Sequence, residues 1–365
     1  MRVDGLTFQN FRNLAIGEIE PCADVNVIYG ENAQGKTNLL EAIWMFCGGH
    51  SFRGSKENEM IGFDKEFFRI GMDFFSGNRG QNAEITYTMN RKGVKLNGVE
   101  KNSSSYLTEV FSAVIFSPEH LSLIKRGPSL RRRFLDGAIC QHHVRFASLL
   151  STYQHVLNQR NTLLKDIYRH SELKETLPIW DDSLINSGAQ IIERRFDYFR
   201  QLREVAGVYH RGISGGKEEL DIRYISSCGA IEGDTRDSIQ QKLYDAFRSA
   251  RHDDYRSGYT TIGPHRDDLE ITINGLSLRR YGSQGQQRST VLSLKLAEAE
   301  LLSERNEEKP VILLDDVLSE LDSSRQDFLL NKVDGYQVFV TCCEQSNKEQ
   351  LQTGKVFTIE NGVVR

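Results

Sequence analysis

Cysteine, proline and tryptophan are scarce in this chain of 365 residues, at six, six and two. The cysteines (Cys22, Cys47, Cys140, Cys228, Cys342, Cys343) form no C-x-x-C pair, and no histidine stands at zinc-finger spacing from them. That excludes a structural zinc site and a disulfide framework, and a reduced compartment is expected. An excess of one charge is also lacking. Lys plus Arg is 46 and Asp plus Glu is 50, a formal net charge of −4, so the chain does not coat nucleic acid along its whole surface. No apolar run approaches the roughly 18 residues of a membrane span; the longest, Ala42 to Cys47, is far too short. Met1 to Gly5 carry an early acid and no apolar core of a signal peptide, so a cytoplasmic location is expected. Internal repeats and low-complexity linkers are missing too. What remains is ordinary globular usage, 39% hydrophobic and 26% charged, in a length suited to about two domains.

β-branched and aromatic residues dominate Val3 to Asn10, Ile16 to Glu20 and Val25 to Tyr29, which read as strands. Ala83 to Met89 and Val94 to Leu96 read as a hairpin, and Ala113 to Phe116 as a strand stopped by Pro118. From about 120 to 255 the composition suits helices, as in Arg145 to Leu177 and Trp180 to Val208. Leu269 to Ile273 is a short extended return, and Gln286 to Lys309, without Gly or Pro, is one helix. Val311 to Leu314 has the all-apolar character of a strand buried on both faces. Gln337 to Thr341 and Lys355 to Glu360 close the chain as strands around a short helix.

Gly30-Glu31-Asn32-Ala33-Gln34-Gly35-Lys36-Thr37 fits G-x-x-x-x-G-K-[ST], with an apolar strand before it and a helix-forming run after it. In that setting successive backbone N–H groups face phosphates, and the helix beginning near Lys36 points its positive end at them. Lys36 is expected to reach the β and γ phosphates of ATP and the Thr37 hydroxyl to ligate Mg²⁺. The magnesium needs an acidic partner, and Asp315 at the end of the buried apolar run supplies it; Asp316 stands where a water-polarising base is expected. Both acids could instead serve as N-terminal charges of a following helix. Between these motifs, Ser283-Gln284-Gly285-Gln286 opens a long helix and reads as a second anion site, with an ordinary glycine turn before a helix as the alternative. A second γ-phosphate site so far along the chain has no use in a monomer, but in a head-to-tail dimer each subunit closes over the other's nucleotide.

This order of motifs resembles the ABC-type ATPases, and within them the RecF family of bacterial DNA replication and repair proteins, which share a head with structural-maintenance-of-chromosomes (SMC) proteins. The resemblance runs the full length through Asn10-Phe11-Arg12-Asn13, Phe116 to Glu119, Leu123-Ile124-Lys125 with Arg131 to Asp136, Gly263 to Leu269, Ser283 to Gln286 and Ser319 to Asp322. It implies an α/β fold, a P-loop NTPase of the ABC/SMC head type. Lobe I would span 1–117 and 306–365, and a helical lobe II, 118–305, would bear the signature. It further implies ATP-dependent homodimerisation, binding of single-stranded, gapped or junction duplex DNA, and work with RecO and RecR to load RecA. Arg12 is placed beside the nucleotide and Asp322 in the D-loop that meets the partner subunit. Compared with transporter cassettes, position 316 is Asp rather than Glu, position 284 is Gln rather than Gly, and Thr341-Cys342-Cys343 offers no histidine to sense the γ-phosphate. Slow hydrolysis that resets a DNA-bound dimer is expected. A membrane-transporter subunit is the rival from another class; an SMC-type head would need hundreds of heptad residues between the lobes.

The small net charge is unevenly spread. Residues 118 to 260 hold 22 basic and 19 acidic side chains, a net +3 against −7 for the remainder. Within 121–160 the excess is +6, which makes Lys125, Arg126, Arg131, Arg132 and Arg133 candidate phosphate-backbone contacts; a solvated helix face is the alternative. His265-Arg266-Asp267-Asp268 reads as a turn with a buried ion pair.

Overall fold

The chain opens with strands β1 (Arg2–Phe11), β2 (Leu14–Ile19) and β3 (Val25–Tyr29), turns into helix α1 (Lys36–Trp44), and returns through β4 (Phe67–Ser76), β5 (Arg79–Thr88), β6 (Arg91–Leu96) and β7 (Val99–Lys101) to β8 (Ala113–Phe116). This computed structural model describes residues 1–88, 91–167, 170–343 and 354–365. Six of these strands form an antiparallel sheet in the order β2-β1-β4-β5-β6-β7. Alternation drives it: in β4, Phe68, Ile70, Met72 and Phe74 are buried while Arg69, Asp73 and Phe75 face outward. The sequence reading missed β4, although that strict alternation was its signal. It found β5 only from Ala83 onward, and Met89 and Asn90 of the expected hairpin lie outside the described residues.

After β8 come α2 (Pro118–Leu121), α3 (Pro128–His142), α4 (Val144–Asp166) and α5 (Leu177–Ile213), then β9 (Leu220–Ile225), α6 (Arg236–Ser257), β10 (Asp268–Ile273), β11 (Leu276–Ser277) and α7 (Leu278–Tyr281). The chain finishes with α8 (Gln284–Asn306), β12 (Val311–Leu314), α9 (Ser323–Lys332), β13 (Val338–Cys342), β14 (Lys355–Glu360) and β15 (Val363–Val364). The second sheet, in the order β15-β14-β3-β13-β12-β8, is parallel from β14 to β8. All four residues of β12 are buried, as an apolar strand covered on both faces requires. This sheet, the antiparallel sheet and α1 share one core, into which α1 sends Leu39, Leu40, Ile43 and Trp44. The short helix expected between the last two strand runs falls on 344–353, outside the described residues.

Two compact units result. Met1–Ser122, Gly212–Gly216 and Gln284–Arg365 make the first, and Leu123–Arg211 with Lys217–Ser283 the second. Both chain ends therefore build one unit, and the final return to it lies at 283/284, where the sequence places it at 305/306. The reason is α8, which packs on β8, α2 and α9 and is buried nearly all round. It carries the buried Lys295–Glu298 ion pair.

The second unit is not purely helical, because β9, β10 and β11 form a small antiparallel sheet. Its polar core is built on arginines. Arg160, 1% exposed, donates to Asp181 at 2.7 Å, Asp254 at 2.7 Å and Thr260 at 2.8 Å. Arg195 holds both oxygens of Asp136 at 2.8 Å and the Pro264 carbonyl at 2.7 Å. Among the described residues no helix is long and apolar enough to cross a membrane.

Removing one partner of a buried ion pair strands the other charge, at a cost of about 3–5 kcal/mol. Arg160→Ala is expected to destabilise the second unit by that amount in urea titration, with the larger part recovered when Asp254→Asn is added. A double variant as unstable as the sum of the two singles would contradict the pairing.

Candidate functional site

β3 ends at Tyr29, and the loop from Gly30 to Gly35 turns the chain into α1. Gly30 cannot carry a side chain, because a Cβ there would sit 2.5 Å from the Ile359 carbonyl oxygen of the neighbouring β14. Gly35 caps α1 at φ +117°, a left-handed conformation that favours glycine. Ala33 shares that region at φ +64°. The loop is also pinned from the far end of the chain: the Asn361 N–H donates to Gln34 Oε1, and the Gly362 N–H to the Gln34 carbonyl at 3.1 Å.

Lys36 is buried in this cradle. Its ammonium donates to the Gly30 and Glu31 carbonyls, each at 2.8 Å, and to Cys343 Sγ at 3.0 Å. Cys343 Sγ in turn donates to Asn32 Oδ1 at 3.0 Å. The charge that the motif assigns to phosphate is held inside the loop by weak carbonyl partners that an anion can replace.

Thr37 Oγ1 donates to Asp315 Oδ1 at 2.8 Å, so the parallel sheet brings together the two residues expected to hold the metal. Thr341 Oγ1 reaches the same oxygen at 3.3 Å. Burial pushes the Asp315 carboxyl above its ordinary value, with the neighbouring Asp316 charge adding to the rise, while the Thr37 and Thr341 hydroxyls oppose it. A buried carboxylate with only neutral donors beside it suits a cation. No group of three or more His, Cys, Asp or Glu could hold a metal among the described residues, so an ion here needs further oxygens, and a nucleotide phosphate supplies them. Thr37 and Asp315 thus fit a phosphate-bound Mg²⁺. Asp316 follows at φ +55°, a strained conformation for aspartate, fixed by its N–H donating to Thr341 Oγ1 at 2.8 Å.

Arg12 is turned onto α1. It donates to both oxygens of Glu41, at 2.9 and 3.0 Å, and to the Glu59 carbonyl at 3.0 Å. Glu41 is fully buried and also accepts from Arg53 and Ser51. Burial pushes its carboxyl up, but hydrogen bonds from Arg53, Arg12 and Ser51 outweigh that and hold it below its ordinary value. Arg53 reaches Asn38 as well and adds positive potential at Asp315. The sequence reading missed the Glu41–Arg53 pair, since nothing in the pattern links residue 41 to the loop at 51–53.

Ser283 and Gln284 are exposed at the start of the 23-residue α8, while Gly285 and Gln286 are half-buried in its first turn. The helix start is tied to the D-loop region. Arg325 Nε donates to Ser289 Oγ at 2.8 Å, and Arg288 pairs with Glu320. Asp322 caps α9, accepting from the Arg325 N–H at 3.0 Å and pairing with its guanidinium. That backbone hydrogen bond and the ion pair hold the Asp322 carboxyl below its ordinary value.

The basic run divides. Arg131 is 3% exposed, grips both oxygens of Asp268 at 2.7 and 3.0 Å, and donates to the Leu123 and Arg126 carbonyls. It belongs to the fold and cannot reach a phosphate backbone. Arg132 is half-buried and donates to the Asp267 carbonyl at 2.7 Å. Lys125, Arg126 and Arg133 are exposed. His265 Nε2 donates to the Thr260 carbonyl at 3.1 Å, its Nδ1 accepts from the Tyr153 hydroxyl at 2.7 Å, and burial pushes its pKa down to about 4. Asp267 faces Arg195 and Tyr224, so this turn is the expected structural ion pair.

The chain matches the RecF/RecN/SMC N-terminal domain family over residues 2–365. It is 40% identical to the DNA replication and repair protein RecF of Lachnoclostridium phytofermentans, over 100% of this chain and 99% of that one. Its identity to RecF of Bacillus cereus is 42%, over 100% and 98%. A solved structure of the recombination mediator protein RecF with ATP in the RecFOR pathway superposes with a TM-score of 0.92 at 39% identity, covering 100% of this chain and 97% of that one. The SMC head of Pyrococcus furiosus bound to a ScpA domain shares the fold, with a TM-score of 0.56 at 15% identity.

Because burial raises the folded-state pKa of Asp315 above its unfolded value, its ionisation costs the nucleotide-free protein stability at neutral pH. That cost fades as pH falls through the folded pKa and is gone below the unfolded one, about 3.9. Asp315→Asn is therefore expected to raise the melting temperature at pH 7 without nucleotide, by a margin that shrinks toward pH 4, and to abolish stabilisation by ATP with Mg²⁺. A variant less stable than the parent at pH 7 would contradict the assignment.

Proposed function

This chain belongs to the RecF family, and from that premise we propose that it is an ATP-switched DNA-binding protein of recombinational repair and replication-gap processing. In this reading Gly30 to Gly35 present backbone N–H groups to the phosphates of ATP, and Lys36 leaves its carbonyl partners for the β and γ phosphates. Thr37 and Asp315 would hold Mg²⁺, which supplies charge neutralisation at the phosphates. Asp316, fixed by Thr341, orients and deprotonates the attacking water. Arg12 acts from its place on Glu41, bracing the helix that carries Lys36 and Thr37. The observation that carries the reading is the meeting of Thr37 with Asp315 across the parallel sheet.

Ser283 to Gln286, at the start of α8, then close over the nucleotide of a second copy of the chain, and Asp322 meets that copy beside it. The ATP-closed homodimer holds DNA in single-stranded, gapped or junction form and works with RecR and RecO to load RecA. In that role it supports SOS induction in the cytoplasm. Hydrolysis is slow, DNA-stimulated, and resets the dimer. The absence of a histidine from Thr341-Cys342-Cys343 favours slow turnover over that of a transporter cassette. Neither the transporter reading nor that of a short chromosome-organising head is favoured, since relatives 40% and 42% identical over the whole chain are replication and repair proteins.

Two variants test the shared site. Lys36→Arg is expected to impair ATP binding or hydrolysis, whereas Ser283→Arg keeps monomer ATP binding but abolishes the ATP-dependent doubling of mass in light scattering. A Ser283→Arg protein that still dimerises with ATP would sink the shared-site reading.

A further inference from the structure

The sequence excess of positive charge at 121–160 loses Arg131 to the protein interior, yet the same Arg131 lines a cleft of about 440 Å³ in the second unit. It is lined by Ile124, by Asp268 and Glu270 of β10, and by Arg279 and Arg280 of α7. One of these two acids is already neutralised, Asp268 by Arg131. That leaves exposed Arg279 and Arg280, with Lys125 and Arg126 following Ile124 in the chain, against the one carboxylate of Glu270. Tyr281 follows the two arginines in the chain, just beyond the residues that line the cleft, and is 71% exposed.

We propose that this cleft seats a nucleic-acid strand, with Arg279 and Arg280 on consecutive phosphates and Tyr281 stacked on a base. The inference rests on the DNA-binding reading above and names its surface. Planar guanidinium forks match phosphate oxygens in pairs. An adjacent exposed aromatic is what a base needs and an acidic peptide does not, so the pairing of Arg-Arg with Tyr favours nucleic acid. The placement has a consequence for the switch. Tyr281 lies two residues before Ser283, so a strand held here sits at the root of the signature segment, and DNA occupancy and closure over a partner's nucleotide bear on the same few residues.

The test uses the full-length chain with a fluorescent single-stranded oligonucleotide at several salt concentrations, with and without ATP. Arg279→Glu with Arg280→Glu is expected to weaken binding at least tenfold and to flatten the slope of log affinity against log salt by about 1.4, two phosphates at about 0.7 each on single strands. Tyr281→Ala is expected to weaken binding about five- to tenfold with the slope unchanged, since stacking releases no counterion. Both variants should bind ATP as the parent does, which confirms folding. Affinity and slope equal to the parent's in the double variant would overturn the proposal, as would competition by polyglutamate as strong as that by an oligonucleotide of equal charge. A parent protein that binds no DNA under any condition would instead overturn the functional reading on which the proposal rests.

Discussion

A hydroxyl and a carboxylate separated by 278 positions in the chain stand 2.8 Å apart, and most of the first unit exists to put them there. Thr37 lies in the first turn after β3 and Asp315 just past β12, with β13 between those strands in the parallel sheet. Holding this contact requires both chain ends in one unit, an apolar β12 buried on both faces, and a glycine at 30 where β14 passes within contact distance. Burial of that carboxylate is unfavourable, and the Thr37 and Thr341 hydroxyls and the positive potential of Arg53 offset it only in part. Such a site stores a demand for positive charge, which is how binding of a phosphate-bound cation can be coupled to a change of state.

Much of this was legible in the sequence because it depends on short-range pattern. The loop from Gly30 to Thr37, the run ending at Asp315 and the opening of α8 each declare themselves within ten residues. What could not be read depends on contacts distant in sequence. The 190-odd residues between β8 and β12 gave α8 to the second lobe by continuity, yet its burial against β8, α2 and α9 returns it to the first. The resemblance places Arg12 beside the nucleotide, and only the fold reveals Glu41 beneath it. The strain at Asp316 has no sequence signature at all, because a left-handed aspartate is set by its surroundings.

Charge arithmetic misled for a physical reason. Counting side chains treats every arginine as surface charge, whereas Arg131, Arg160 and Arg195 are each at most 3% exposed and bonded to aspartates of the second unit. A guanidinium can satisfy five donors inside a protein, so arginine-rich helical regions hold internal braces as readily as external patches. Lys125, Arg126 and Arg133, by contrast, are exposed, as are Arg279 and Arg280. Two of these lie just ahead of the signature segment, where charge outside and helix-start geometry inside meet.

In the proposed dimer one nucleotide site is completed by two chains, the P-loop of one and the α8 start of the other. The most direct measurement mixes a protein that lacks the lysine, Lys36→Ala, with one whose signature is blocked, Ser283→Arg, each carrying a different fluorophore. Neither alone can close a site, but the mixture retains one intact pair: the P-loop of the Ser283→Arg chain and the signature of the Lys36→Ala chain. ATP-dependent energy transfer is expected in the mixture and none in a sample of either variant labelled with both fluorophores. Energy transfer of equal strength within either variant alone, or none in a mixture whose parent protein dimerises, would contradict the shared site.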